Sequence, residues 1–445
     1  MGFDILTKVD DIVNISFSKI DFSVIIYIMK LSLKGLFKNI GPGFITGTSD
    51  DDPSGIAAYT QVGAQFGFGM LWTAFLMLPL MISAQEMSAR IGLVSGQGIV
   101  AILKKHYPKI IVYVFVALIL VANTINIGAD IGAIADCVHL IIPQIPFTVL
   151  AIGLCVMILS LEILVSYKHY VNILKWLGLC LLSYALTLIL VTNNWSELLF
   201  HAFIPQITFN QQFMIALTAV LGTTISPYLF IWQGNEEVEE EIAIGRTSIK
   251  KRRGATKKEI RGMRWDTVIG MAFSNIITFC IIATAANTFF KNGIFDITST
   301  AQAAQALEPL AGRFASLVFS FGVIGTGLLA IPILSASASY ALSETLNWRE
   351  GLYRKFHQAH GFYGVITAAT AIGLLINFIG INPIKALFWA AVLNGIVTPI
   401  LLAVIIKVAN NKKVMGKYKN GKLSNTFTIL TLILTALSAS LIFIF

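Results

Sequence analysis

Apolar runs recur along nearly the whole chain, at residues 37–66, 69–91, 110–141, 146–166, 170–192, 211–233, 266–290, 313–343, 361–379, 383–408 and 425–445. Each is long enough to cross about 30 Å of hydrocarbon at about 1.5 Å per helical residue. Lipid offers the backbone no hydrogen bonds, so such runs predict helices, here eleven spans. Residues 1–36 carry Asp4, Asp10 and Asp11, and an apolar patch from Phe22 to Met29 that is too short to span. They lack the basic start and small-residue cleavage site of a signal peptide, which predicts a cytoplasmic or interfacial lead-in.

The polar positions predict an orientation, because Lys and Arg gather in short cytoplasmic loops. Alternate loops hold Lys104, Lys105 and Lys109; Lys168; the run Arg246 to Arg264; Arg349, Arg354 and Lys355; and Lys407 to Lys422. The other loops are nearly bare of them. This alternation places the N-terminus inside the cell and the C-terminus outside, in a multi-pass plasma-membrane protein. The acidic patch Glu236, Glu237, Glu239, Glu240 and Glu241 falls where the sixth span reaches the cytoplasm and is expected to be a solvated helix end.

Composition narrows the function classes. Hydrophobic residues make up 56%, charged residues 12%, and mean hydropathy is +0.78, against about 25% charged in soluble domains. No room is left for a soluble catalytic domain. The formal charge of +9 lies in short loops rather than on one face, so no nucleic-acid partner is expected. Cys137, Cys155, Cys180 and Cys280 sit in apolar runs without metal-type spacing and are expected to be small core residues.

One feature breaks the apolar pattern. Within the first run, Asp50, Asp51 and Asp52 precede Pro53, Ser54 and Gly55. A centred Asp costs roughly 2.5–3.5 kcal/mol on insertion scales, so these carboxylates must face water, a cation or protein. Pro53 removes a backbone donor and disfavours helix at Asp52, which predicts an unwound segment with free carbonyls lining a cavity. Five spans later Gly222-Thr223-Thr224-Ile225-Ser226-Pro227-Tyr228 interrupts a second apolar run. Two interrupted segments at matching places in two halves point to an inverted-repeat transporter with a midplane site.

These residues resemble the NRAMP family of divalent-metal transporters. The likeness runs from Gly41-Pro42-Gly43-Phe44 through Asp52-Pro53, Gly63-Ala64-Gln65-Phe66-Gly67 and Leu71-Trp72. It continues through Arg90-Ile91-Gly92-Leu93-Val94-Ser95-Gly96 to Met415-Gly416. The resemblance implies an all-α polytopic membrane protein of LeuT-type fold. Residues 37–192 and 211–408 would form two inverted five-helix repeats, with 425–445 as an eleventh helix. The family's first-helix motif is Asp-Pro-Gly-Asn and its sixth-helix motif is Met-Pro-His; here they read Asp52-Pro53-Ser54-Gly55 and Ser226-Pro227-Tyr228. The resemblance implies a metal site at Asp52, Gly55 and Ser226, with the carbonyls of Ser49 and Thr223, which lie three residues before the Asp and the Met positions. Asp50, Asp51, Tyr228, Asp130 and Asn394 are expected around it or along the pathway.

The departures from the motif suggest the ion. A thioether favours softer ions, whereas carboxylate, hydroxyl, carbonyl and water suit Mg²⁺ and Ca²⁺. Loss of the Asn and Met side chains is expected to enlarge the site for a partly hydrated ion. The sequence thereby resembles the NRAMP-related magnesium transporter branch, with Mg²⁺, and Mn²⁺ beside it, as transported substrate. None of the six histidines lies near either break, and Ala133 stands where the family has a Glu in the third span. Uncoupled, potential-driven transport is therefore expected. The alternatives are a proton-coupled Mn²⁺ or Fe²⁺ importer and a non-transporting cation sensor. No cofactor, catalysis or obligate protein partner is predicted beyond the divalent cation and membrane lipid.

Overall fold

The computed structural model describes residues 41–444 apart from Ser166, Asn193, Thr298, Ala306 and Ile381. The expected lead-in at 1–36 and the start of the first apolar run lie outside the described residues. The described residues form helices and loops without a strand. The first apolar run contains α1 (Pro42–Asp50) and α2 (Pro53–Phe66), followed by α3 (Trp72–Ser95), α4 (Lys109–Ile141) and α5 (Phe147–Leu164). Next come α6 (His169–Val191), the broken pair α7 (Gln211–Thr224) and α8 (Pro227–Ala243), and α9 (Lys257–Thr288). The chain ends with α10 (Gly312–Leu346), α11 (His360–Ile376), α12 (Pro383–Asn410) and α13 (Lys422–Leu441).

Eight helical segments among the described residues are long and apolar enough to cross a membrane, α7 with α8 counted as one. The rest of the expected spans fall short for identifiable reasons. The crossing made of α1 and α2 is cut by the aspartates, the α2 segment and α3 are apolar enough only when taken together as one bent pair, and α11 is apolar but has only 17 residues. The path bends by 106° between the α2 segment and α3. Helix α9 starts at Lys257 rather than near 266, because Thr256 and Glu259 form a capping box inside the basic run.

Close helix approach comes from glycine. Helix α9 packs along both α1 and α2, and α12 packs along α7 and α2. A Cβ on Gly47 would stand 2.2 Å from the Gly270 carbonyl carbon, and one on Gly270 would stand 2.2 Å from the Gly43 carbonyl oxygen. In the second half, a Cβ on Gly222 would lie 2.2 Å from the Gly395 nitrogen, and one on Gly395 would lie 2.3 Å from the Thr218 oxygen. Small residues allow this backbone contact where lipid supplies no hydrophobic drive between helices. Each first half of a broken helix is thus pressed against a continuous one. Asp266 of α9 also accepts the otherwise orphaned amides of Gly41 (2.9 Å) and Gly43 (2.6 Å) at the start of α1.

The end of the bundle bearing the basic loops is closed by ionic contacts on the buried Glu86. Glu86 accepts from Arg90 (3.0 Å) and Arg264 (2.8 Å), and Arg90 also donates to the Tyr418 carbonyl (2.6 Å) and to Asn420. The acidic patch is not a solvated helix end: Glu236, Glu237, Glu239 and Glu241 are buried. The reason is that α8 continues to Ala243 and turns these residues onto protein. Glu239 accepts from the Tyr340 hydroxyl (2.6 Å) and from the amides of Leu352 (2.9 Å) and Tyr353 (3.3 Å). In the same loop, burial and the charges of Glu344 and Glu239 push Glu350 up to about 9.

Two outcomes follow. Gly47→Leu is expected to lower stability by roughly 1–3 kcal/mol through overpacking, read as a fall in melting temperature in detergent, whereas Gly262→Ala, where a Cβ meets nothing within 4 Å, is expected to be silent. Glu350 is raised above its unfolded value, so its contribution is present at low pH and lost as pH rises through about 9. Thermal melts across that range should fall for the wild type and stay flatter for Glu350→Gln.

Candidate metal centre

The two breaks share one backbone geometry. Helix α1 ends at Asp51 (φ −87°, ψ 53°), Asp52 is extended (φ −67°, ψ 171°), and Pro53 opens α2. Helix α7 ends at Ile225 (φ −121°, ψ 59°), Ser226 is extended (φ −71°, ψ 129°), and Pro227 opens α8. Both follow from the proline, which forces the residue before it out of the helical region and starts the next helix without needing its missing amide.

Asp52 caps α2. Its Oδ1 accepts from the Gly55 amide (2.7 Å) and the Ser54 hydroxyl (2.6 Å). Its Oδ2 accepts from Asn126 Nδ2 of α4 (2.7 Å) and the Tyr228 hydroxyl of α8 (3.4 Å). That hydroxyl lies 2.8 Å from the Ser49 carbonyl, its closer acceptor. Ser49 and Asp52, on the two arms of the first break, therefore direct oxygens at one point occupied by a hydroxyl from the second broken helix. A cation held there must displace the Tyr228 hydroxyl or the Asn126 amide.

Asp50 and Asp51 face elsewhere, toward α9. Ser274 donates to Asp50 Oδ2 (3.2 Å) and Thr278 to Asp51 Oδ1 (3.1 Å). All three aspartates are at most 1% exposed. Among the described residues, no three His, Cys, Asp or Glu side chains converge to hold a metal ion. A cation at this depth would rely on carbonyl, hydroxyl and water oxygens beside single carboxylates.

The other expected residues are placed with differences. Ser226 turns its hydroxyl back onto the Thr223 carbonyl (2.5 Å) and the Gly222 carbonyl (3.2 Å), so it covers the end of α7. Position 55 does not enlarge the site: a Cβ there would stand 2.8 Å from Thr223 Oγ1 and 3.3 Å from the Asp50 carbonyl, because the two broken helices close over the glycine. Asp130 lies one turn beyond Asn126 on α4, and neither of its oxygens has a hydrogen-bond partner. Asn394 is buried on α12, but that helix reaches the second break through Thr398, whose hydroxyl donates to the Ile225 carbonyl (3.0 Å).

Sequence reasoning missed Asn126, Ser274, Thr278, Thr398 and Tyr59, whose hydroxyl meets Thr224 Oγ1 (3.0 Å). A signal existed for Asn126. Asn123, Asn126 and Asp130 recur at helical spacing in a largely apolar span, and so share one face. None existed for Ser274 and Thr278, since hydroxyls in membrane helices commonly bond their own backbone.

Known proteins match over nearly the full length. The family model described as "Natural resistance-associated macrophage protein-like" matches residues 43–444. A protein of Caldanaerobacter subterraneus subsp. tengcongensis named divalent metal cation transporter MntH is 25% identical over 404 residues, covering 90% of this chain and 91% of its own length. The Bacillus subtilis protein of the same name is 23% identical over 397 residues, covering 87% and 88%. Among solved structures, the Eremococcus coleocola manganese transporter superposes with a TM-score of 0.72 at 15% identity, over 92% of this chain and 86% of its own. Mhp1, a nucleobase-cation-symport-1 transporter, gives a TM-score of 0.52 at 11% identity, over 89% and 91%. A LeuT-type arrangement of two inverted five-helix repeats and an eleventh helix accounts for both structural likenesses, and a match over all but the ends of the chain makes this protein a member of the natural resistance-associated macrophage protein (NRAMP) family.

Proposed function

We propose that this chain is a membrane transporter of divalent metal cations that works by alternating access. Its ion is held at Asp52 and the carbonyl of Ser49, with Ser226, Thr223 and the peptide around Gly55 completing an oxygen-only environment. The observation that carries this is the convergence of Ser49 O and Asp52 Oδ2 on one hydroxyl from the opposite broken helix, at 2.8 and 3.4 Å. Relatives named divalent metal cation transporters, and a solved neighbour titled a manganese transporter, support Mn²⁺ as substrate and favour the standard family reading over Mg²⁺ alone. In that reading Asp130, whose oxygens lack donors, carries a coupled proton. The basic loops would face the cytoplasm.

A second reading, Mg²⁺ carried without a proton, is favoured by one feature: serine rather than a sulfur ligand stands at the second break. An oxygen donor set admits Mg²⁺ and Mn²⁺ alike. The side groups that hydrogen-bond at the two breaks are hydroxyls, an amide and carboxylates.

Flux into proteoliposomes tests both readings. Wild type is expected to carry Mn²⁺, and Asp52→Ala to lose at least about tenfold of that flux, the effect of roughly 1.4 kcal/mol; normal transport by Asp52→Ala would remove Asp52 from the site. Proton uptake tied to Mn²⁺, with Mg²⁺ excluded, selects the standard reading; Mg²⁺ flux without protons selects the second. If position 226 sets the preference, Ser226→Met lowers Mg²⁺ flux relative to Mn²⁺ by roughly tenfold, and an unchanged ratio would clear this position of the role.

A further inference from the structure

The three consecutive aspartates divide into two groups. Asp52 points to α4 and α8, where Oδ1 accepts from Ser54 and Gly55 and Oδ2 accepts from Asn126, with the Tyr228 hydroxyl shared between Oδ2 and the closer Ser49 carbonyl. Asp50 and Asp51 point to α9, where Ser274 and Thr278, one turn apart, hold one oxygen of each. The other two oxygens, Asp50 Oδ1 and Asp51 Oδ2, are buried and accept nothing. Both residues are 0% exposed, and the ion pairs among the described residues lie elsewhere, none reaching them.

One further buried group next to this segment is also open. Thr223 Oγ1 has no partner, and it stands with the Asp50 carbonyl around the glycine that separates the two breaks. Two carboxylates at membrane depth without a basic partner are costly, and one doubly charged cation balances both. The donors are hard oxygens throughout, which suits Mg²⁺, Mn²⁺ or Ca²⁺, with water in the remaining positions.

We infer that Asp50 and Asp51, with the hydroxyls of Ser274 and Thr278, form a second divalent-cation site on the α9 side of the first break, separate from the one at Asp52. The chain then binds two dications across a single interrupted helix. The split arises because α1 ends at Asp51 and Asp52 is extended, so neighbouring carboxylates leave the helical register and serve different helices. The inference rests on the transport reading only in treating Asp52 as the first site.

Mn²⁺ is the probe. Purified full-length protein in detergent is dialysed against Mn²⁺, and bound metal is counted together with its electron paramagnetic resonance spectrum. Wild type is expected to hold two Mn²⁺ with mutually broadened lines. The pair Asp50→Asn with Asp51→Asn should hold one, with sharp lines, and Asp52→Asn should also hold one while losing flux. Ser274→Ala with Thr278→Ala leaves every carboxylate in place, guards against misfolding of the Asp variants, and is expected to weaken one of the two binding events about tenfold. A single Mn²⁺ in wild type, or an unchanged count in the Asp50/Asp51 variant, overturns the second site. Unimpaired flux in Asp52→Asn would instead overturn the transport assignment and leave the count of two standing.

Discussion

A helix interrupted at membrane depth leaves carbonyls, amides and acidic side chains that lipid cannot satisfy, and the rest of this structure is organised around that constraint. Asp266 covers the amides that open α1, Asp52 caps α2, Ser226 covers the carbonyls that end α7, and Thr398 takes the Ile225 carbonyl. Each partner comes from within the bundle. The breaks are thereby fixed structures rather than frayed ends, and the oxygens they expose keep a defined direction.

Position is set by glycine and direction by donors. Gly43, Gly47 and Gly270 bring α1 onto α9, and Gly222 and Gly395 bring α7 onto α12, so each half-helix lies against a continuous one. At those distances, Asn126, Tyr228, Ser274 and Thr278 decide which way each aspartate turns. The same polypeptide stretch can then present one carboxylate to α4 and α8 and two to α9. Tyr228 bridges Ser49 and Asp52 from the opposite broken helix, so any ion that binds there alters a contact between the two halves. Such a differential contact is what coupling between binding and rearrangement requires. The buried acids Glu86 and Glu239 close the basic end of the bundle and complete a conformation in which the aspartates are sealed from solvent.

Much was determined by sequence alone. Length and apolarity of the runs predicted an all-helical membrane protein, because a backbone in lipid has few alternatives to helix. Pro53 and Pro227 marked both breaks, since the restriction that proline imposes on its predecessor is local and does not wait for tertiary context. The motif residues around Asp52 carried the family likeness for the same reason.

Only the tertiary structure decided what surrounds those breaks. The replacement of the motif asparagine by Gly55 suggested a larger site, yet Thr223 and the Asp50 carbonyl fill the space, because a glycine invites close approach as readily as it leaves a void. The acidic run after Trp232 suggested a solvated helix end, yet α8 extends and packs those side chains on protein. Three adjacent aspartates gave no hint that they part company, since their directions depend on ψ values at single residues and on hydroxyls more than 200 positions away. Local backbone rules are written in neighbouring residues, whereas the partners of a buried carboxylate are chosen by packing between distant helices.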